Sequence, residues 1–66
     1  MNVQQIADKA GVELLAFQNG IALCNTNRGF MPFVTWLYAD DAFYSGNYAK
    51  TLDEAQTEFN ERSWRK

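Results

Sequence analysis

The sequence predicts a small α+β domain: a short N-terminal helix, two antiparallel β-hairpins forming one small sheet, and a C-terminal helix packed on one face. Three observations point there. Both ends of the chain carry apolar residues at helical spacing behind residues that cap helices. Asn19-Gly20 joins two apolar runs of similar length. A second pair of runs, 33–38 and 43–48, is rich in β-branched and aromatic residues.

The first element is a helix over about residues 3–10. Asn2 can cap it, and Gln5 stands three residues on, as in a capping box. Val3, Ile6, Ala7 and Ala10 share one face, and Gly11 supplies the left-handed residue that ends the helix.

Residues 12–27 admit two readings. As a hairpin, Val12 to Gln18 and Ile21 to Asn27 flank Asn19-Gly20, a pair suited to the positive φ angles of a type I′ turn. That pairing puts Leu15, Phe17, Ala22 and Cys24 on one face and Leu14, Ala16, Ile21 and Leu23 on the other. As a helix, Glu13 to Gln18 is rich in Leu and Ala, and Gly20 becomes its stop. The hairpin is preferred because Asn-Gly joins two runs of matching length.

The helical reading has a functional counterpart. The pattern Val3-x-x-Ile6-Ala7-x-x-Ala10-Gly11-Val12 resembles the first helix and turn of the helix-turn-helix in lactose-repressor-type regulators. The resemblance implies a helix crossing at the alanine, a turn at Gly11 and a core role for Val12. It covers about ten residues of the chain. Where the family has its recognition helix, this chain reads Glu13-Leu14-Leu15-Ala16-Phe17-Gln18, without the hydroxyl and basic groups that contact DNA there.

Residues 28–32 form a connection ending at Pro32, which cannot donate to a sheet. The second hairpin pairs Phe33–Tyr38 with Phe43–Tyr48 around Ala39-Asp40-Asp41-Ala42. Unbroken alternation places Phe33, Leu37, Tyr44 and Tyr48 on one face and Val34, Trp36, Tyr38 and Phe43 on the other. Gly46 inside the second strand predicts a bulge or a close approach by another group. The last helix spans about 52–63 behind a Thr51-Leu52-Asp53-Glu54 capping box. Leu52, Ala55 and Phe59 form its buried stripe, Glu58–Arg62 and Glu61–Arg65 are favourable i,i+4 pairs, and Arg62, Arg65 and Lys66 suit the helix dipole.

Composition narrows the function. With 66 residues the chain is a single small domain (1–66), and folding buries only about 60% of the surface an unfolded chain of this size exposes. Such domains lean on a disulfide, a metal or a partner. One cysteine rules out an internal disulfide, and with no histidine a structural zinc site is not expected. Neither a cofactor nor a metal is expected. Net charge is −2, and between Lys9 and Lys50 the only cation is Arg28, too few to hold several phosphates. Nucleic acid is therefore an unfavoured partner. No run of 18 apolar residues exists, the first residues lack signal-peptide features, and a lone thiol fits a reducing cytoplasm.

Catalysis finds no foothold. Asp40 and Asp41 are adjacent, but at a hairpin tip where Asp serves turn geometry. Cys24 has no histidine to act as base, so a core role is expected of it. Ser45 and Ser63 lack nucleophile motifs, and Gly20, Gly29 and Gly46 are scattered rather than gathered into a phosphate-binding loop.

Aromatic excess remains. Seven of the ten aromatics fall within the nineteen residues from Phe30 to Tyr48. Two helices covering one sheet face would leave Trp36, Tyr38 and Phe43 on the other. These rings either fill the core of a tiny domain or bury against a protein, and Trp and Tyr are common anchors in the second case. The expected site is accordingly Trp36, Tyr38 and Phe43 with Asp40 and Asp41, facing a protein target or a second copy. The expected function is a small non-catalytic protein-binding module, similar in kind to phage or mobile-element accessory proteins that modulate host proteins. The alternative is a small DNA-binding transcriptional regulator using the N-terminal segment.

Overall fold

A computed structural model describes residues 2–64. The elements run α1 (Val3–Ala10), β1 (Glu13–Gln18), β2 (Ile21–Asn25), β3 (Phe33–Ala39), β4 (Ala42–Ala49) and α2 (Leu52–Trp64). The strands form one antiparallel sheet in the order β1-β2-β3-β4. This is the α+β architecture the sequence predicts, and residues 13–25 are a hairpin. The resemblance to a helix-turn-helix therefore stops at α1 and its turn, because strand β1 occupies the place of a recognition helix. None of the helices among the described residues is long and apolar enough to cross a membrane.

Local chemistry explains the punctuation. Asn2 Oδ1 accepts from the Gln5 amide at 2.9 Å, and Gln5 Oε1 accepts from the Asn2 amide at 2.8 Å, so the capping box is complete. At the other end of α1, Gly11 is left-handed (φ 75°). Its amide donates to Asp8 O and that of Val12 to Ala7 O, satisfying carbonyls that the helix end leaves open. Asn19 and Gly20 take φ of 49° and 80°, and Gln18 pairs with Ile21, giving the expected two-residue turn. The second hairpin turns as tightly on Asp40 and Asp41, both left-handed, with Ala39 paired to Ala42.

The two helices lie on opposite faces of the sheet, not together on one. On the α1 face, Ala7 and Val12 bury against Ala22, Cys24 and Val34, with Val3, Leu14, Trp36 and Phe43 packed around them. On the α2 face, Ala55 and Phe59 bury against Ile21 and Leu23, flanked by Ala16, Phe33 and Ala49. Alternation along β2 sets this division. Its small residues, Ala22 and Cys24, let a short helix approach, while Leu23 and Ile21 meet the ring of Phe59. Fully burying side chains such as Leu23 and Phe59 contributes about 1.5–3 kcal/mol each.

Two bulges alter the alternation expected from sequence. In β1, Leu14 pairs with Cys24 and Ala16 with Leu23, so Leu15 is an inserted residue. Leu14 is thereby moved to the α1 face, opposite to the side unbroken pairing assigns it. In β4, Thr35 pairs with Asn47 and Leu37 with Tyr44, so Trp36 stands opposite both Ser45 and Gly46. The same shift of parity brings Tyr48 to the α1 face, against the expectation that it joins Phe33 and Leu37.

Helix α2 departs from its expected stripe at one residue and one ion pair. Leu52, at the first helical position, is 47% exposed, and the helix meets the sheet only from Ala55 onward through Phe59 and Ser63. The Glu58–Arg62 pair is replaced by two tertiary contacts. Glu58 accepts from Asn47 Nδ2, and Arg62 Nη1 donates to the carbonyl and hydroxyl oxygens of the buried Thr35 at 2.9 and 3.0 Å. Arg65 and Lys66, and with them the Glu61–Arg65 pair, lie outside the described residues. Asn19 Nδ2 donates to Ser63 O, tying the end of α2 to the first hairpin turn. No buried side-chain polar atom lacks a partner among the described residues.

Arg62 is thus a structural donor rather than a surface charge. Arg62→Met strands the Thr35 hydroxyl and should cost about 1–3 kcal/mol in a denaturant titration. Adding Thr35→Val to that variant should recover part of the loss, and strictly additive changes in a double-mutant cycle would show that the two residues are not coupled.

Candidate functional site

Residues from three strands converge on the α1 face into a continuous strip of five rings. Phe17 of β1 meets Tyr38 of β3 edge-on at 5.7 Å, and Tyr38 meets Phe43 of β4 at 6.1 Å and 67°. Phe43 stacks on Trp36 at 4.8 Å with 6° between their planes. Trp36 meets Tyr48 edge-on at 6.3 Å. Pairs at these separations add about 0.5–1.5 kcal/mol each beyond burial, so the strip is a stiff surface.

Its middle is anchored in the core and its ends are open. Trp36, Tyr38 and Phe43 are half-buried, and Trp36 and Phe43 pack against the α1-side cluster. Phe17 and Tyr48, at the two ends, remain 43% and 52% exposed. Part of the expected partner face is therefore core, closed by α1, and the open part extends to two rings that the expected site omits. Tyr48 could be found from sequence only by knowing the bulge, whose one signal is Gly46. Phe17 needed the hairpin placed edge to edge with the second, a long-range pairing that no local pattern carries.

Gly46 makes the strip possible. A Cβ built there would fall 2.5 Å from Trp36 Nε1 and 2.9 Å from Cδ1, so the indole lies where a side chain would stand. Both halves of the sequence expectation, bulge and close approach, are met at this one residue. Ser45 beside it takes the left-handed conformation (φ 52°) that the bulge requires.

The acidic residues divide. Tyr38 Oη donates to Asp41 Oδ1 at 3.3 Å, joining the hairpin tip to the strip. Burial pushes the Tyr38 phenol pKa up, and the Asp41 carboxylate reinforces this through its charge and the hydrogen bond. Asp40 is exposed at the first position of the turn. Beside the strip, α1 and the β3–β4 hairpin bound an open cleft of about 390 Å³ lined by Ile6, Lys9, Ala10, Trp36, Asp41, Ala42 and Phe43. Three further exposed rings lie outside its lining, the first being Tyr44 of β4, 47% exposed and paired with Leu37. Phe30 (78% exposed) stands in the β2–β3 loop with Lys50 Nζ 5.4 Å from its centroid, and Trp64 (72% exposed) ends α2.

Cys24 is buried in the α1-side cluster, and burial lifts its thiol from 9.0 to about 11. A thiol held protonated is a poor nucleophile. No group of three or more His, Cys, Asp or Glu side chains that could hold a metal occurs among the described residues. No protein-family model, curated protein or solved structure matches this chain.

Two measurements probe this arrangement. Gly46→Ala has ordinary backbone geometry, so contact with the indole alone should destabilise the fold, by about 1–3 kcal/mol, and shift the Trp36 signal in near-UV circular dichroism. An unchanged melting temperature would mean that Trp36 does not lie over Gly46. For Cys24, the folded thiol titrates above the unfolded one, so its contribution is intact below pH 9. As pH rises from about 9 to about 11 the unfolded state ionises first, and about 2–3 kcal/mol of stability should be lost. At pH 8 the native thiol should react with a disulfide reagent only as fast as the protein opens, and rapid labelling would place Cys24 at the surface.

Proposed function

We propose that the chain is a small non-catalytic protein-binding module whose contact surface is the aromatic strip on the α1 face. The carrying observation is the strip itself: five rings in mutual contact across three strands, ordered from below by the core and open at Phe17 and Tyr48. Rings held in fixed rotamers lose little entropy on binding, and an apolar centre with a polar rim is the usual anatomy of an interface. Asp41 supplies part of that rim, fixed by Tyr38. A single thiol with a raised pKa, two serines without a base and no histidine supply no nucleophile or general base for catalysis.

Size and composition extend the reading to the kind of task. A chain of 66 residues with net charge −2 can act by occupying a surface of a larger protein, as phage and mobile-element accessory proteins do when they modulate a host protein. DNA regulation is disfavoured by the β1 strand at residues 13–18 and by the inward-turned Arg62.

The test separates surface from core by working at the open ends of the strip. Phe17→Ser and Tyr48→Ser should leave the melting temperature within a few degrees of wild type. The same substitutions should weaken capture of a bound protein by about 2 kcal/mol or more, as interface anchors do. Trp36→Ala is a poorer probe, because it also opens the core. Capture that survives the loss of both end rings would exclude this face as the contact surface.

A further inference from the structure

Asn19, in the first hairpin turn, holds two elements together through a side-chain amide that is chemically labile where it stands. Its Nδ2 donates to Ser63 O at 2.6 Å, in the last turn of α2, where a helix leaves its carbonyls without amide partners. Of the six asparagines, only Asn19 precedes a glycine, and it is exposed to water. The Gly20 amide nitrogen has no side chain beside it, and a Cβ built at Gly20 would meet nothing nearer than 4.0 Å. After the other five stand Val3, Thr26, Arg28, Tyr48 and Glu61, whose side chains hinder approach to the amide nitrogen.

We propose that Asn19 is a site of self-deamidation and that its conversion detaches the end of α2 from the first hairpin turn. Hydroxide removes the Gly20 amide proton, and the nitrogen attacks Asn19 Cγ. The N–Cγ bond forms, the Cγ–Nδ2 bond breaks, and Nδ2 leaves as ammonia with a proton from water, which regenerates the hydroxide. Water then opens the five-membered imide at either carbonyl, giving aspartate or isoaspartate at position 19. Overall a water is consumed and an ammonia released, with nothing oxidised or reduced. The fold paces the step, because Cγ is held through Nδ2 against Ser63 O and Gly20 O is held by the Tyr38 amide at 2.8 Å. Neither product can remake the cap. A carboxylate presents a charged acceptor where Ser63 O needs a donor, and it sets negative charge at the negative pole of α2. Isoaspartate also adds a main-chain atom to a turn closed by the Gln18–Ile21 pair. The change falls two residues from Phe17, in an edge strand that pairs with β2 alone.

The experiment follows the full chain at mildly alkaline pH and physiological temperature, native and unfolded in guanidinium chloride. Peptide mapping with electron-transfer fragmentation separates aspartate from isoaspartate. Both should accumulate at position 19 ahead of every other asparagine, and about tenfold or more slowly in the native chain, since local opening must come first. Asn19→Asp supplies the first product directly. It should melt about 4–8 °C below wild type, as the loss of a hydrogen bond does in a domain of this size. Amide exchange in the last turn of α2 should speed by at least about tenfold in the same variant and in converted wild type separated by ion exchange. Native Asn19 still intact after about a hundred half-lives of the unfolded chain, or another asparagine converting first, overturns the site. Unchanged melting and exchange in the Asn19→Asp chain overturn the detachment.

Discussion

The indole of Trp36 lies across a strand residue with no side chain, and the arrangement of the α1 face depends on that contact. Opposite Trp36, β4 uses two residues where β3 uses one, and Gly46 is the one over which the ring packs. Because side chains alternate with period two, a single inserted residue reverses the facing of everything after it. Tyr48 is thereby turned to the side of Trp36 and Phe43, and the row of four rings from Phe17 through Tyr38 and Phe43 to Trp36 gains its fifth. The bulge has a second consequence. β4 is an edge strand, as is β1, and each carries a bulge that interrupts the regular row of unpaired backbone groups. Such interruptions discourage edge-to-edge aggregation, so a surface for binding is directed to the sheet face rather than its margin.

The two faces are closed unequally, and the inequality has a thermodynamic reading. Helix α2 has thirteen residues and lays Ala55, Phe59 and Ser63 on the sheet, with Arg62 and Asn19 supplying buried polar contacts at its end. Helix α1 has eight residues, a length that is marginal as a helix without caps and packing. It has both, and it seals Ala22 and Cys24 completely. It is too short to cover the rings that extend toward β4. A longer helix would bury the strip and add stability, whereas this one leaves a cleft along its flank. In so small a domain the exposed aromatic area is a sizeable share of the hydrophobic surface available for folding.

The sequence carries the element list well because each signal is local. Caps, Asn-Gly and β-branched runs act over a few residues, and the structure places α1, the two hairpins and α2 where those signals stand. What it carries poorly is parity. Nothing within β1 announces that Leu15 is an inserted residue, since Leu14 and Leu15 are chemically alike and only the pairing with Cys24 and Leu23 distinguishes them. Helix placement is likewise non-local. Whether the helices share a face depends on which side of β2 is small, and that side is defined only once the hairpins are paired. Of the expected site, Trp36, Tyr38, Phe43 and Asp41 do come together, because the second hairpin keeps its register through the tip. The end rings Phe17 and Tyr48 were hidden by one long-range pairing and one bulge.

The two tight turns sharpen the point about Asp41. Both place two residues in the left-handed region, where Asn followed by Gly is the least strained choice. The first turn uses that pair, and Asn19 doubles as a donor to Ser63 O. The second uses Asp40-Asp41, although Gly at the second position would relieve backbone strain of order 1 kcal/mol. Turn chemistry explains an Asp in the first position better than one in the second. What Asp41 has that a glycine lacks is a carboxylate bonded to Tyr38 at the rim of an aromatic cleft. A local departure from the best turn residue, beside a surface that the fold leaves open, is where a selected interaction is expected rather than a packing need.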